Sequence, residues 1–297
     1  MNQRFRTVGL VGKHEDPRVG DSMIALARHL AANGVSVLLP EHAALDELPA
    51  EIRFLPEAQI PADADLIVAV GGDGTILHAT RLVAGLDVPV LGINRGRLGF
   101  LADVSPDTML ERLDEVLAGN YIRESRLMLQ ADIVAAGATP NAVALNDVVV
   151  QKLETGRMLD FETWIGGCYV NTHGGDGLVI ATATGSTAYA LSGGGPIIHP
   201  ELDAIVLVPI CPHTLSDRPI VVRAECEIEV RLVERPETRA HVVCDGQILG
   251  ELTAEGRLRV RRAERPVTLL HTPDHDYYRI LRSKLHWGRG GQVTDRR

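Results

Sequence analysis

The residues best suited to chemistry gather in two glycine-rich stretches. The first is GGDGT at 71–75. It follows an unbroken apolar run (66–70) and precedes Ile76, Leu77, His78, Ala79 and Thr80, which read as the start of a helix. An apolar run without alternation is the pattern of a strand covered on both faces. A glycine turn between such a strand and a helix is an anion site, because glycine allows close backbone approach and the helix N-terminus offers unpaired N–H groups. Asp73 is the only charged residue in that turn. Beside a phosphate, a carboxylate is explained by one of two roles. It can hold Mg²⁺, or it can accept the proton of an attacking hydroxyl. A turn-forming aspartate is the plain alternative. The second stretch, DGLVIATATGSTAYALSGGGP at 176–196, is led by Asp176 and strings together glycines and small hydroxylated residues. Such a row favours backbone exposure and can line a ligand with N–H and O–H donors. GxxxxGK[ST] occurs nowhere in the chain, which excludes P-loop chemistry.

Four further segments join these two. NRGRLGFLAD at 94–103, LNDVV at 145–149, PHTLSDRPIVV at 212–222 and CDGQ at 244–247, with GGDGT and the stretch from 176 to Pro200, resemble the NAD kinases of bacterial type. The resemblance spans most of the chain in the right order. GGDG alone is shared with lipid kinases and phosphofructokinases, whereas GSTAY together with PHTLS is specific. The family's Asn-Glu pair reads Asn146-Asp147 here, a carboxylate on a shorter arm.

The resemblance implies transfer of the γ-phosphoryl of ATP to the 2′-hydroxyl of the adenosine ribose of NAD, giving NADP. It implies Asp73 as general base in contact with NAD. Gly72, Gly74 and Thr75 would hold phosphates through backbone N–H groups, with His78 close to a phosphate and Gly74 also facing NAD. Asn146 and Asp147 would bond the NAD ribose or adenine. Arg157, Gly174, Asp176, Thr187, Ala188, Tyr189, Ser192 and Gln247 would line the dinucleotide, and Phe100 would pack on adenine. Mg²⁺ would come with ATP rather than in a protein site, with arginines sharing the charge neutralisation. His78, His173, His199 and His213 sit beside motifs without metal-ligand spacing among them, so none is read as a zinc ligand. Two rival readings stand beside this one. A lipid kinase of the diacylglycerol or sphingosine type shares the GGDG turn. A nucleotide-binding regulator without catalysis would keep the loops, although the presence of Asp73 disfavours it.

The elements that must position these residues divide into two patterns. Over the first 122 residues, strand-like runs at 7–12, 35–39, 65–70 and 88–93 alternate with helical spacing at 18–33, 76–84 and 105–118. That order predicts an α/β domain with a parallel sheet, whose ligands bind at the carboxyl ends of strands. Residues 40–64, with four prolines, read as a long connection. From 123 to 272 short strand-like segments follow one another at 126–135, 142–152, 160–170, 178–184, 204–210, 219–222, 227–234, 241–244, 258–262 and 267–271. They predict an all-β, sandwich-like domain for NAD. Residues 276–285 read as an amphipathic helix, so 273–297 is expected to return to the first domain. The functional site is expected between the two domains.

Bulk properties fit this picture. A length of 297 residues favours two domains. A net charge of −9 argues against a nucleic-acid binder. The four cysteines form no CxxC pair, so neither a structural zinc site nor a disulfide framework is expected. The N-terminal apolar run is too short for a signal peptide and no stretch has the length of a membrane span. A cytoplasmic location without membrane or nucleic-acid partners is the default. The family implies a homo-oligomer, dimer or tetramer.

Overall fold

A computed structural model describes residues 5–43, 48–95, 99–102, 104–135, 139–153, 158–233 and 238–287. In chain order the first elements are β1 (Thr7–Gly12), α1 (Pro17–Ala32), β2 (Ser36–Pro40), β3 (Arg53–Leu55), α2 (Ile60–Asp63), β4 (Leu66–Gly71) and α3 (Asp73–Leu82). β5 (Val90–Asn94), α4 (Met109–Leu117), β6 (Ile122–Arg126), β7 (Leu129–Val134), β8 (Asn141–Ala144) and β9 (Asp147–Lys152) follow. Next come β10 (Leu159–Ile165), β11 (Cys168–Gly175), β12 (Gly177–Thr182), α5 (Tyr189–Ser192), β13 (Ala204–Ile210) and β14 (Ile220–Arg223). The last are β15 (Ile228–Leu232), β16 (Arg239–Cys244), β17 (Gln247–Thr253), β18 (Arg257–Arg262), β19 (Val267–His271) and α6 (Tyr277–Lys284). Two compact units result. One is built from the chain up to Glu124 together with the segment from Thr268, the other from Ser125–Val267.

The first unit carries a seven-stranded sheet in the order β3-β2-β1-β4-β5-β19-β6. β1, β2, β3, β4, β5 and β19 pair in parallel along it. β4 is buried at all six positions, which is why its sequence shows no alternation. α1 begins where the Asp16 side chain accepts the Arg18 N–H and Pro17 takes the first turn. It ends at Asn33 and Gly34, the latter at φ 74. Its Met23, Leu26, Ala27 and Leu30 pack with Leu10, Val68, Leu91 and Leu270 of the strands and with Leu113 and Val116 of α4. α6 is capped by Asp276, which accepts from the Tyr278 and Arg279 amides, and buries Ile280 and Leu281.

The second unit is antiparallel. One sheet runs β11-β10-β15-β18-β7-β8, the other β14-β13-β12-β9-β16-β17. Alternate residues such as Leu129, Ala131 and Ile133 of β7 and Val148 and Val150 of β9 share one apolar core with Phe161, Leu178, Ile180, Val230 and Val260. The opposite residues of the second sheet, Val149, Val179, Ala181, Val206 and Val208, pack instead on Ala183, Ala190 and Ile198. β12 is therefore buried on both faces, and its LVIA run reads as continuous rather than alternating.

Several local expectations differ: residues 142–152 divide into β8 and β9, which lie in different sheets, and β17 adds a strand the sequence reading does not include. The connection 40–64 contains β3 and α2, short pieces whose prolines mask any period. Residues 160–170 form not one strand but the hairpin β10–β11. Gly166 and Gly167 at φ 57 and 80 turn the chain there, a conformation open to glycine in two-residue hairpins. Residues 267–271 lie not with the β-rich segments but in the first sheet, parallel to β5. A strand's pattern states its burial, not its partner.

Candidate functional site

The GGDGT turn lies at the carboxyl end of β4, with Gly72 as the N-cap residue of α3 and Asp73 as its first residue. The first N–H groups of a helix lack the usual partner four residues back; here the Thr75 N–H turns to the Gly72 carbonyl at 2.9 Å, which leaves the glycine amides as the turn's candidate donors. Gly71 abuts the Thr75 side chain, where a Cβ would stand 2.2 Å from Oγ1. Asp73 does more than border the turn. Its Oδ2 accepts the Phe100 N–H at 2.9 Å and its Oδ1 the Leu101 N–H at 3.2 Å. Gly99 leaves room for this contact, because a Cβ there would lie 1.8 Å from Oδ1. The GGDGT turn and the 94–103 segment are thus physically joined. A carboxylate has about four acceptor positions, so two remain for a further donor.

The other predicted residues of this unit fall around the turn. Thr75 is buried, and Gly72 and Gly74 are exposed. His78 Nε2 is paired with Glu57 Oε2 at 3.0 Å. Phe100 is half-buried, with Lys284 Nζ of α6 5.9 Å from its ring centre. Arg95, unassigned in the sequence, follows β5 and donates its amide to the Gly71 carbonyl at 2.9 Å. After the Arg18 hydrogen bonds, the charge of its side chain bears on Asp16, in the loop after β1, and helps hold that carboxyl low.

In the second unit the LNDVV segment turns into β9. Asp245 organises it: its carboxylate accepts the Leu145 N–H at 2.8 Å, the Asn146 N–H at 2.8 Å and the Asp147 N–H at 3.1 Å. Asp245 reaches them from the β16–β17 hairpin, where it and Gly246 adopt φ 45 and 79. An Asp-Gly pair favours such a turn, and three amides on one carboxylate offset the strain of a non-glycine residue there. The end of β12 closes on the other side. Thr182 donates its hydroxyl to the Leu145 carbonyl at 2.6 Å, its amide to the Asn146 carbonyl at 2.9 Å, and its Oγ1 accepts the Gly185 N–H at 3.0 Å. Gly185 presses on Asn146, and a Cβ there would stand 2.0 Å from the Asn146 carbonyl oxygen. Buried Arg126 donates to Thr184 Oγ1 at 3.2 Å.

Asp147 is 6% exposed. Burial, and after it the charge of Asp245, push its carboxyl up to about 7, opposed by the backbone N–H of Tyr189. Asn146, Asp147, Thr187, Ala188 and Tyr189 therefore cluster at one end of β9 and β12. Tyr189 is 43% exposed at the start of α5, Ser192 is exposed at its end, and Gln247 opens β17 beside Asp245.

Asp176 and Gly174 belong to the opposite end of the same strand pair. Gly177 pairs with Gln151 whereas Ala181 pairs with Asp147, a separation of about 13 Å along the strand at 3.3 Å per residue. There Asp176 forms an ion pair with Lys152. The Gly174 carbonyl accepts the His213 N–H at 2.8 Å. Asp217, in the PHTLSDR loop, is held by His173 Nδ1 at 3.2 Å and the Asn171 amide at 2.9 Å. Arg157 lies outside the described residues. The residues missed in sequence, Asp245, Thr182 and Lys152, lie in motifs or next to them, but their role is cross-strand and has no linear signature.

The two halves of the chain match two family models: the ATP-NAD kinase N-terminal domain over residues 8–121 and the ATP-NAD kinase C-terminal domain over residues 145–272. An NAD kinase of Thiobacillus denitrificans is 45% identical over 294 residues, covering 97% of this chain and 99% of that protein. One from Chromohalobacter salexigens is 43% identical over 286 residues, covering 96% and 98%. Among solved structures, an Archaeoglobus fulgidus NAD kinase in complex with ATP superposes with a TM-score of 0.70 at 28% identity, covering 94% of this chain and 98% of that one. A yeast NADH kinase complexed with NADH gives 0.90 at 24% identity, covering 99% and 91%, a likeness of fold.

Proposed function

The chain belongs to the ATP-NAD kinase family, and from that premise we propose how its own residues carry out the ATP-dependent phosphorylation of NAD. The observation that carries the reading is the family match of both halves of the chain, together with a carboxylate at the head of a phosphate-type turn. The lipid-kinase and regulator readings have no comparable support.

In this reading the backbone N–H groups of Gly72 and Gly74 cradle the ATP phosphates, while the Thr75 N–H, expected to join them, is taken by the Gly72 carbonyl at 2.9 Å. Mg²⁺ carried by the nucleotide would supply the neutralisation of phosphate charge that the turn, without a cationic side chain, does not. Arg95, whose amide bonds the Gly71 carbonyl, adds positive charge. Asp73 accepts the proton of the ribose 2′-hydroxyl as the oxygen attacks the γ-phosphorus. The bond from that phosphorus to the β,γ-bridging oxygen breaks and ADP leaves. What supports Asp73 as base is its fixed aim: two backbone donors hold it and acceptor positions remain.

Asn146 and Asp147 take the adenosine ribose or adenine, presented by the turn that Asp245 fixes. Thr187, Ala188, Tyr189, Ser192 and Gln247 extend that surface, and Gly174 and Asp176 serve a second contact about a strand's length away. His78 contributes near the phosphates and Phe100 packs on adenine; Arg157 completes the assignment. The resemblance also supports a cytoplasmic homo-oligomer. The test is incubation with Mg-ATP and NAD, with NADP read by an NADP-specific dehydrogenase. Absence of NADP, or phosphorylation of diacylglycerol or a sphingoid base instead, refutes the reading.

A further inference from the structure

The geometry points to a second kind of site, unconnected with the dinucleotide: Glu124, His271 and His275 form a three-ligand set for a borderline divalent transition metal such as Zn²⁺. Glu124 comes from β6 and His271 is the last residue of β19, at the margin of the first sheet. His275 stands in the turn that leads to α6, where its amide donates to the Thr272 carbonyl at 3.0 Å. The candidate ligand atoms of the three residues all lie within 4.8 Å of one another. His271 Nε2 and Glu124 Oε2 are 2.9 Å apart, with the His271 side chain 1% and the Glu124 side chain 13% exposed.

The donor set decides the class of ion. Mg²⁺ and Ca²⁺ take oxygen ligands, whereas two imidazoles and one carboxylate are ligand types of zinc and its neighbours. Tetrahedral zinc, at about 2.1 Å from each donor, needs donors roughly 3.4 Å apart. Glu124 and His271, 2.9 Å apart, now meet at hydrogen-bond distance and part by about 0.5 Å to take the ion between them. The His275 ring now stacks on His271 with centroids 3.9 Å apart and planes 30° from each other. A metal lies in the plane of each ligating imidazole, so binding requires His275 to rotate out of the stack while its backbone stays in the turn. Three protein ligands leave a fourth position for water. The ion would tie β6 and β19 to the segment that sets α6.

The site is independent of the kinase reading, and so is its test. The full chain, stripped with chelator, is titrated with Co²⁺ and the ligand-field absorption followed, then displaced with Zn²⁺. One equivalent should bind, and Zn²⁺ should raise the melting temperature. His275→Ala and Glu124→Gln should each weaken Co²⁺ binding at least tenfold and abolish the thermal shift, and His275→Ala should melt as the wild type does in chelator. His275→Asn replaces His275→Ala if the latter melts early in chelator. A Cys168→Ser, Cys211→Ser double variant should keep the spectrum, since both thiols are exposed and are rival ligands. Lowering the pH to about 5.5 should release the ion, because ligating imidazoles must be neutral. Failure to bind one equivalent, an unchanged spectrum in His275→Ala, or loss of the spectrum in the cysteine variant would each overturn the site. The pair of Glu124 and His271 would then stand as a buried ion pair alone.

Discussion

Replacing Asp147 by Asn isolates one buried carboxyl, and its effect can be worked out beforehand. Asp147 is 6% exposed and its pKa is pushed up to about 7, first by burial and then by Asp245. The unfolded chain titrates this group near 3.8. Between those values the native state binds a proton that the unfolded state releases. The contribution to stability is therefore full at low pH and is lost as pH rises through 7, by about 4 kcal/mol in all. Over the practical window from about pH 5.5 to 8.5, about 2 kcal/mol of that loss falls to Asp147. Asparagine carries no titrating proton. Urea unfolding of both proteins at the two pH values should show the stability difference moving by about 2 kcal/mol in favour of Asp147→Asn at the higher pH. Trp164, in the same unit, serves as the probe. An equal difference at both pH values would refute the assignment. A second readout follows from its role towards ribose: the wild-type KM for NAD should fall as pH rises through 7 and the acceptor ionises, and the KM of Asp147→Asn should stay flat.

Other substitutions reach the two turns. Asp73→Asn keeps one acceptor oxygen but sets an amide against an N–H of the 99–101 segment, so kcat should fall about 10²- to 10⁴-fold with the fold retained by circular dichroism; turnover at the wild-type rate excludes Asp73 as base. Gly99→Ala places a methyl 1.8 Å from Asp73 Oδ1 and should approach the Asp73→Asn loss without touching that side chain; unaltered kcat would show that the contact does not aim the carboxylate. Gly185→Ala places a methyl 2.0 Å from the Asn146 carbonyl oxygen and should raise KM for NAD more than KM for ATP, with a lower melting temperature; equal effects on both substrates would detach Asn146 from the dinucleotide.

Much of the architecture was legible because burial writes itself into sequence period. The unbroken run of β4, the alternation of β7 and the spacing of α1 each state which faces are covered. The hairpin carries its own signal, the Gly166-Gly167 step that marks a two-residue turn, which the strand-like run on either side outweighs. The sheet membership of β19 was hidden because pairing is set by where the chain returns, not by the residues in the strand. The site behaved the same way. Asp73, Asn146 and Asp147 stand out as charged or polar residues in motifs. Asp245 does not, since its importance comes from three amides 98 to 100 residues away in sequence. Asp176 and Asp147 look like members of one group in the linear order, and β12 sets them at opposite ends.

The held carboxylates have a further consequence, for the durability of the molecule. The chain contains three Asp-Gly steps, at 73, 176 and 245. In a flexible chain such a step ages by ring closure: the glycine nitrogen attacks the preceding side-chain carbonyl carbon, water leaves, and the succinimide reopens largely as isoaspartate. That attack needs a side chain able to fold back on its own backbone. Here Asp73 is turned towards the Phe100 and Leu101 amides, Asp176 towards Lys152, and Asp245 towards the amides from Leu145 to Asp147. These contacts oppose the fold-back that each step needs. Loosening any one of them exposes the polypeptide at that step to slow covalent damage.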